Sequence, residues 1–361
     1  MGYSGKHMLN KLDKLLKTPV EPPDQSVYKK VLEHWDAIAK PLDGMGRFEP
    51  LTAQIGAILG TDQIDISKKA VLVLCADHGI VAEGVSQSGQ YVTAAVAKQM
   101  GKGASPVGKM AAAIGADTMP VDIGINGNGQ LPGVLDRKIR CGTRNFHTEP
   151  AMTKEEAAAA VLTGVEMAGD CKRKGYHILA TGEMGIGNTT ASSAVAAALL
   201  KCDADAVTGR GAGLCDEKLQ RKKQVIAEAI RKYKLYEAGP LTVLAAVGGL
   251  ELAGLAGICI GGGIFRIPVV LDGVISMAGA LLAERLMPGT AKYLLASHAG
   301  KEPAVQKLMD ALQLAPVIDA EMALGEGTGA VMMLSLLDLA LCVYQAGAFF
   351  QELAVEPYQR Y

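Results

Sequence analysis

Aromatic side chains are scarce in this chain, 4% of 361 residues with a single Trp, so stacking platforms for single-stranded nucleic acid have little to build on. Charge of one sign is lacking too: 36 Lys and Arg stand against 37 Asp and Glu, for a formal net charge of −1. With nothing to steer a polyanion, neither nucleic acid nor an anionic membrane is an expected partner. The seven cysteines (Cys75, Cys141, Cys171, Cys202, Cys215, Cys259, Cys342) never form a CxxC pair. That pattern fits a reduced, cytoplasmic compartment and gives zinc no ligand spacing, so no metal is expected. Residues 1–17 mix Lys, Asp and His with isolated apolar residues, unlike a secretory leader. Two apolar stretches, 241–265 and 330–350, approach membrane-spanning length. Each carries a carboxylate, Glu251 and Asp338, and the first is full of glycine, so buried helices of a soluble protein are expected.

What the chain has is glycine, 43 residues of it, and a regular alternation. Short apolar runs at 70–75, 119–123, 177–180, 267–271 and 292–296 read as buried strands. Helical patterns run over 92–113, 154–168, 189–200, 218–233, 273–286 and 303–312. Strand, polar turn and helix repeated in this way predict an α/β fold, a parallel sheet with helices on both faces. In such sheets ligands bind outside the carboxyl ends of the strands. The N-terminal fifty residues and the last helix stand outside the alternation. We expect them to form a small helical domain, 1–50 with 331–361, beside a large domain of 51–330, with Pro22-Pro23 and Lys40-Pro41 as breaks.

The distinctive residues cluster at the strand ends. Near the C-terminus Glu326 stands between glycines in Leu324-Gly-Glu-Gly-Thr-Gly-Ala330, at the mouth of an apolar helix. Glycines allow close backbone approach and positive φ, so this carboxylate is presented as a base would be; a carboxylate offsetting the helix macrodipole gives the same pattern. Thr181-Gly-Glu-Met-Gly-Ile-Gly-Asn-Thr-Thr190 follows a strand and opens a helix, a turn whose free N–H groups suit a phosphate or serve structure alone. Its glycines run GxxGxG, which is neither a dinucleotide fingerprint nor a P-loop. Glu183 within it should face a part of the ligand other than the phosphate. Thr208-Gly-Arg-Gly-Ala-Gly-Leu214 adds Arg210 and precedes a basic helix with Lys222 and Lys223, a second phosphate candidate or a solvated face. Asp77-His78 closes another strand, with Glu83 and Ser88 beyond it, and no second histidine lies at metal spacing. Ser297-His298 closes the last strand, yet the Gly-x-Ser-x-Gly elbow of a hydrolase does not occur.

Together these segments resemble one family over almost the whole chain, the nicotinate mononucleotide:dimethylbenzimidazole phosphoribosyltransferases, which make the lower-ligand nucleotide of cobamides. The resemblance rests on Lys40-Pro-Leu-Asp-Gly-Met-Gly-Arg47, Ala76-Asp-His-Gly-Ile80, Glu83-Gly-Val-Ser86, Val121-Asp-Ile-Gly124, Gly142-Thr-Arg-Asn145, Pro150-Ala-Met-Thr153, the 182–190 and 209–213 turns, Gly248-Gly-Leu-Glu251, Leu271-Asp-Gly273, Ser297-His298 and 324–330. It implies a Rossmann-like large domain, a small helical domain built from both chain ends, and a dimer, of one chain or of two paralogues, with active sites near the subunit interface. It also implies the reaction: an aromatic nucleophile displaces nicotinate from C1′ of nicotinate mononucleotide and inverts the linkage to α, with no cofactor.

The same resemblance assigns roles. Glu326 matches the base and Glu183 a second active-site glutamate. Gly182, Gly185, Gly187, Asn188, Thr189, Gly209, Arg210, Gly211, Lys222 and Ser297 fall to the nucleotide and its phosphate, and Asp77, Ser88, Met184 and Leu324 to the aromatic base. The sequence departs from the family pattern at Asp43-Gly44, where Gly-Ser is usual, and at Gly300, where a serine contributes to the phosphate pocket. A lost hydroxyl costs an anion site roughly 1.5–3 kcal/mol. These departures imply a divergent member, one that accepts a phenol or is half of a heterodimer. A non-catalytic paralogue is the alternative, and an NAD-dependent oxidoreductase fits the fold class without the glycine order.

Overall fold

The computed structural model describes residues 5–360. Residues 1–4 and 361, part of the expected small domain, lie outside the described residues. Six parallel strands form one sheet in the order β3-β2-β1-β4-β5-β6: β1 Lys69–Ala76, β2 Asp117–Gly124, β3 Leu135–Asp136, β4 Ile178–Met184, β5 Val269–Leu271 and β6 Leu294–Ala296. The α/β class and parallel sheet are as the alternation predicts. The chain winds outward from β1 through β3, then returns to the other side of β1 with β4. The strand order therefore reverses between β1 and β4, which opens a crevice at their carboxyl ends.

All eight residues of β1 are buried, and their alternation divides them between two cores. Leu72 and Leu74 point into one, and Val71, Val73 and Cys75 into the other. In the first core the helices Lys154–Arg173 and Leu250–Phe265 pack backbone to backbone. A Cβ added to Gly164 would lie 2.0 Å from the Gly254 carbonyl, and one on Gly257 2.0 Å from that of Val161. In the second core the helix Thr328–Ala346 contributes Val331, Met333, Leu334 and Leu337. That helix is long and apolar enough to span a membrane, but half of its most apolar window is buried inside the protein, and Asp338 pairs with Lys69 of β1 at 3.1 Å.

Gln25–Ala37 packs on Phe48–Leu59, with Trp35 Nε1 donating to Thr52 Oγ1 at 2.8 Å and its ring 5.3 Å from that of Tyr344. Gly5–Leu16 lies elsewhere, on the helix Lys154–Arg173, where Lys11 meets Glu166 at 2.7 Å.

Several boundaries differ from expectation. The helix expected over 92–113 is two, Tyr91–Gly101 and Pro106–Ala113. Pro106 has no N–H to continue the first, and Ser105 caps the second through Gly108 N at 3.2 Å. The 241–265 stretch breaks at Gly248-Gly249 into Pro240–Val247 and Leu250–Phe265. Strand β4 runs on to Met184, through residues read as a glycine turn.

Candidate active site

A cavity of about 280 Å³ opens at the carboxyl ends of β4 and β5. Its walls are Glu183–Ile186 with Asn188 and Thr189, Gly211 with Ala212, Asp272–Ile275, His298 with Gly300–Glu302 and Val305, and Met322–Glu326. Five segments far apart in sequence meet there, each following a strand or leading into a helix.

Glu326 is set by its neighbours. Gly325, Glu326 and Gly327 all have left-handed backbone, with φ of 83°, 62° and 96°. Two of the three bear no Cβ, and the third is the glutamate. The turn lies so close to β4 that a Cβ on Gly182 would be 2.4 Å from the Glu326 carbonyl oxygen. Gly182 is thus a strand glycine that admits the Glu326 backbone. Asp272, at the end of β5, locks the other side. Its Oδ2 accepts from Gly327 N at 3.0 Å, and its Oδ1 from Gly329 N at 2.8 Å and Ala330 N at 3.3 Å, so one carboxylate caps the helix Thr328–Ala346.

The carboxyl groups are displaced toward their neutral forms. Burial raises Glu326, opposed by a hydrogen bond from Val107 N–H, and its Oε2 is buried without a partner. Glu183 is pushed up to about 8 by burial and then by the nearby charges of Asp272 and Glu251. Asn188 Nδ2 donates to Glu183 Oε2, which orients that carboxyl within the cavity. A Cβ on Gly325 would lie 2.8 Å from Glu183 Oε1, so the Glu183 carboxyl packs against the turn that carries Glu326. Asp272 is raised by burial, against its hydrogen bonds. Perturbation of this kind, concentrated in one cleft, marks a functional site.

Lys222 approaches from the other end. It is fully buried, donates to Thr189 Oγ1 and to the Gly209 carbonyl at 3.0 Å each, and burial brings it down to about 8. Both acceptors are neutral. Glu302 lies close enough to act on the Lys222 charge, and a buried ammonium hydrogen-bonded only to neutral groups at the back of a cavity suits an anion.

Of the residues assigned from sequence, Glu183, Met184, Gly185, Asn188, Thr189, Gly211, Leu324 and Glu326 line this cavity, and Lys222 backs it. The others sit outside its lining, for physical reasons. Asp77 Oδ2 is turned away to accept from Asn126 N at 2.8 Å, and Ser88 lies in the loop before Tyr91. Arg210 reaches outward to Asp216 and to the Leu214 carbonyl. Ser297 Oγ is 2.9 Å from His298 Nδ1, beneath the cavity floor. Gly187, with φ of 98°, packs on Val81 and His78, and Gly209 lies against Glu302. The Gly211 N–H is already used: it donates to Glu302 Oε1 at 2.9 Å. Asp272, His298, Lys301 and Glu302 are site residues that the sequence reading did not assign. For Asp272 a signal existed, a carboxylate directly after a predicted strand.

The profile of a phosphoribosyltransferase family matches residues 20–355. A nicotinate-nucleotide--dimethylbenzimidazole phosphoribosyltransferase of Acetivibrio thermocellus is 38% identical over 97% of this chain and 98% of its own length. Its namesake in Ruminiclostridium cellulolyticum is 40% identical over 92% of this chain and 94% of its own. The crystal structure of CobT from Thermus thermophilus superposes with a TM-score of 0.87 at 40% identity, covering 92% of this chain and all of that one. With cavity, profile and relatives in agreement over nearly its whole length, the chain belongs to the phosphoribosyltransferase family of the nicotinate-nucleotide--dimethylbenzimidazole enzymes.

Proposed function

We propose that this protein moves the 5-phosphoribosyl group of nicotinate mononucleotide to an aromatic base, with inversion at C1′ to the α-linkage and release of nicotinate, in the making of cobamide lower ligands. The polarity of the cavity carries the reading: a buried ammonium stands at one end and two neutral-leaning carboxyls at the other. Phosphate at the Thr189–Lys222 end would direct C1′ toward the glutamates.

There an azole nitrogen attacks C1′ as the bond to the pyridinium nitrogen breaks, and the ring departs neutral. The azole's second nitrogen becomes acidic, and Glu326 takes that proton. A base with a raised pKa holds the proton more firmly once taken. Glu183, steered by Asn188, faces the ribose, where its ionised form offsets positive charge at C1′. The cationic substrate itself favours that ionisation. Leu324, Met184, Met322 and Ile275 give the base end an apolar wall.

The finer proposal concerns the nucleophile. We propose that phenols are accepted as well as azoles, and the apolar wall of Leu324, Met184, Met322 and Ile275 supports a flat aromatic of either kind, whereas Asp43 and Gly44 lie outside the lining, with Asp43 held by Arg360. The working form is proposed to be a cytoplasmic dimer, of this chain or with a paralogue, and Leu324, 54% exposed at the mouth of the cavity, supports a covering subunit. For the small helical unit of 1–50 with 331–361, Trp35 meeting Tyr344 and Ile38 bridging Phe349 support the part from Gln25 on, whereas Gly5–Leu16 packs on the large domain's helix Lys154–Arg173.

The purified protein incubated with nicotinate mononucleotide and a panel of benzimidazoles, purines and phenols tests these readings together by product mass. N-linked ribotides with stoichiometric nicotinate are expected, and O-linked ones if phenols are accepted. No nicotinate release with any acceptor would favour a supporting subunit instead.

A further inference from the structure

The cavity has a charge problem. Its phosphate end carries the carboxyl group of Glu302, while Glu183, Asp272 and Glu326, which burial pushes toward their neutral forms, line the rest. Among the described residues, Lys301 is the only Lys or Arg in that lining, since Lys222 lies behind Thr189. A nucleotide phosphate would have to enter next to Glu302, whose carboxylate already takes the Gly211 N–H of the cavity wall. Gly300 offers no hydroxyl.

Lys301 is poised to correct this. Its side chain is 58% exposed, and its ion pair is with Glu321 at 3.0 Å, itself 78% exposed. Such pairs contribute little and exchange readily, and lysine's flexible four-carbon stem lets the ammonium swing. We propose that Lys301 is the second phosphate-binding cation of this site: it leaves Glu321 and closes over the 5′-phosphate from the solvent side, opposite Lys222. This proposal rests on the nucleotide reading above. It adds that the outer half of the phosphate grip is a mobile lysine, and that this lysine sets the preference for a phosphorylated over an unphosphorylated nucleoside.

The test is calorimetric titration of wild type and Lys301→Ala with nicotinate mononucleotide and with nicotinate riboside. Loss of one charge-assisted bond should weaken mononucleotide binding about ten- to a hundredfold and leave the riboside unchanged. In turnover, KM for the mononucleotide should rise with kcat nearly constant, and Lys301→Arg should retain most of the affinity. A Cβ at Gly300 would meet nothing closer than 3.5 Å, so Gly300→Ser fits, and placed in the Lys301→Ala background it should recover part of the loss. Wild-type affinity in Lys301→Ala, or an equal loss for both ligands, overturns the proposal. If the wild type itself binds riboside and mononucleotide equally, the nucleotide reading fails first and this one with it.

Discussion

Glu326 holds a backbone conformation, φ of 62°, that costs a non-glycine residue roughly 1–3 kcal/mol unless its surroundings impose it. The Gly182 notch and the Asp272 cap impose it, and the effect is to aim an under-solvated carboxyl into the cavity. Glu326→Gln keeps that shape and removes the base. Nicotinate mononucleotide should bind as before while transfer slows on the order of a hundredfold or more; near-normal turnover would take Glu326 out of the role. Glu183 makes a second prediction through pH. Its folded value of about 8 lies above the ordinary 4.5, so between these limits the unfolded chain gives up a proton that the folded one keeps. Its contribution is fully present below pH 4.5 and is lost as pH rises through 8, with Asp272 and Glu326 acting in the same direction. Carboxyls such as Glu156 and Glu83, lowered by their partners, act below this window. Glu183→Gln should therefore flatten the fall in melting temperature between pH 5 and 8, and an unchanged slope would show that Glu183 is not the group responsible.

At the scale of elements, the site depends on one cap. Asp272 ends β5 and holds three N–H groups at the start of the helix Thr328–Ala346, which ties a strand to a helix and fixes the glutamate turn between them. Asp272→Ala leaves those donors buried without an acceptor, and urea unfolding should show a loss of about 1–3 kcal/mol, with transfer slowed because Glu326 is no longer held. A change under half a kcal/mol would mean that the turn keeps its shape without the cap. The elements themselves were legible in the sequence wherever apolar runs were continuous, as in β1, β4 and β5. They were less so where backbone chemistry intervened. Ser105-Pro106 and Gly248-Gly249 split helices whose periodicity runs through the break. The two-residue strand β3 has no apolar run to announce it, because both of its residues are exposed.

For the whole molecule, binding and stability should move together. A ligand that binds only the folded form adds about 2.7 kcal/mol at a hundred times its Kd, so nicotinate mononucleotide should raise the melting temperature in proportion to the logarithm of its concentration. The Lys222→Ala variant should lose most of that shift while the riboside shifts both proteins alike, and if the mononucleotide shifted both proteins equally, Lys222 would not be reading phosphate. The sequence by itself determined the parallel α/β class, the glycine-framed Glu326 and the pairing of Glu183 with a phosphate-suited helix start. Strand hydrophobicity, turn chemistry and helix caps act over a few residues, so they can be read locally. Only the tertiary structure decided which strand ends share a cavity. It placed Asp272 and Lys301 inside, turned Asp77 toward Asn126 and Arg210 toward Asp216, and filled the Gly211 amide with Glu302. Those outcomes depend on strand order and on contacts between residues 49 to 91 positions apart, and no local pattern encodes which of several exposed-looking polar groups burial will claim.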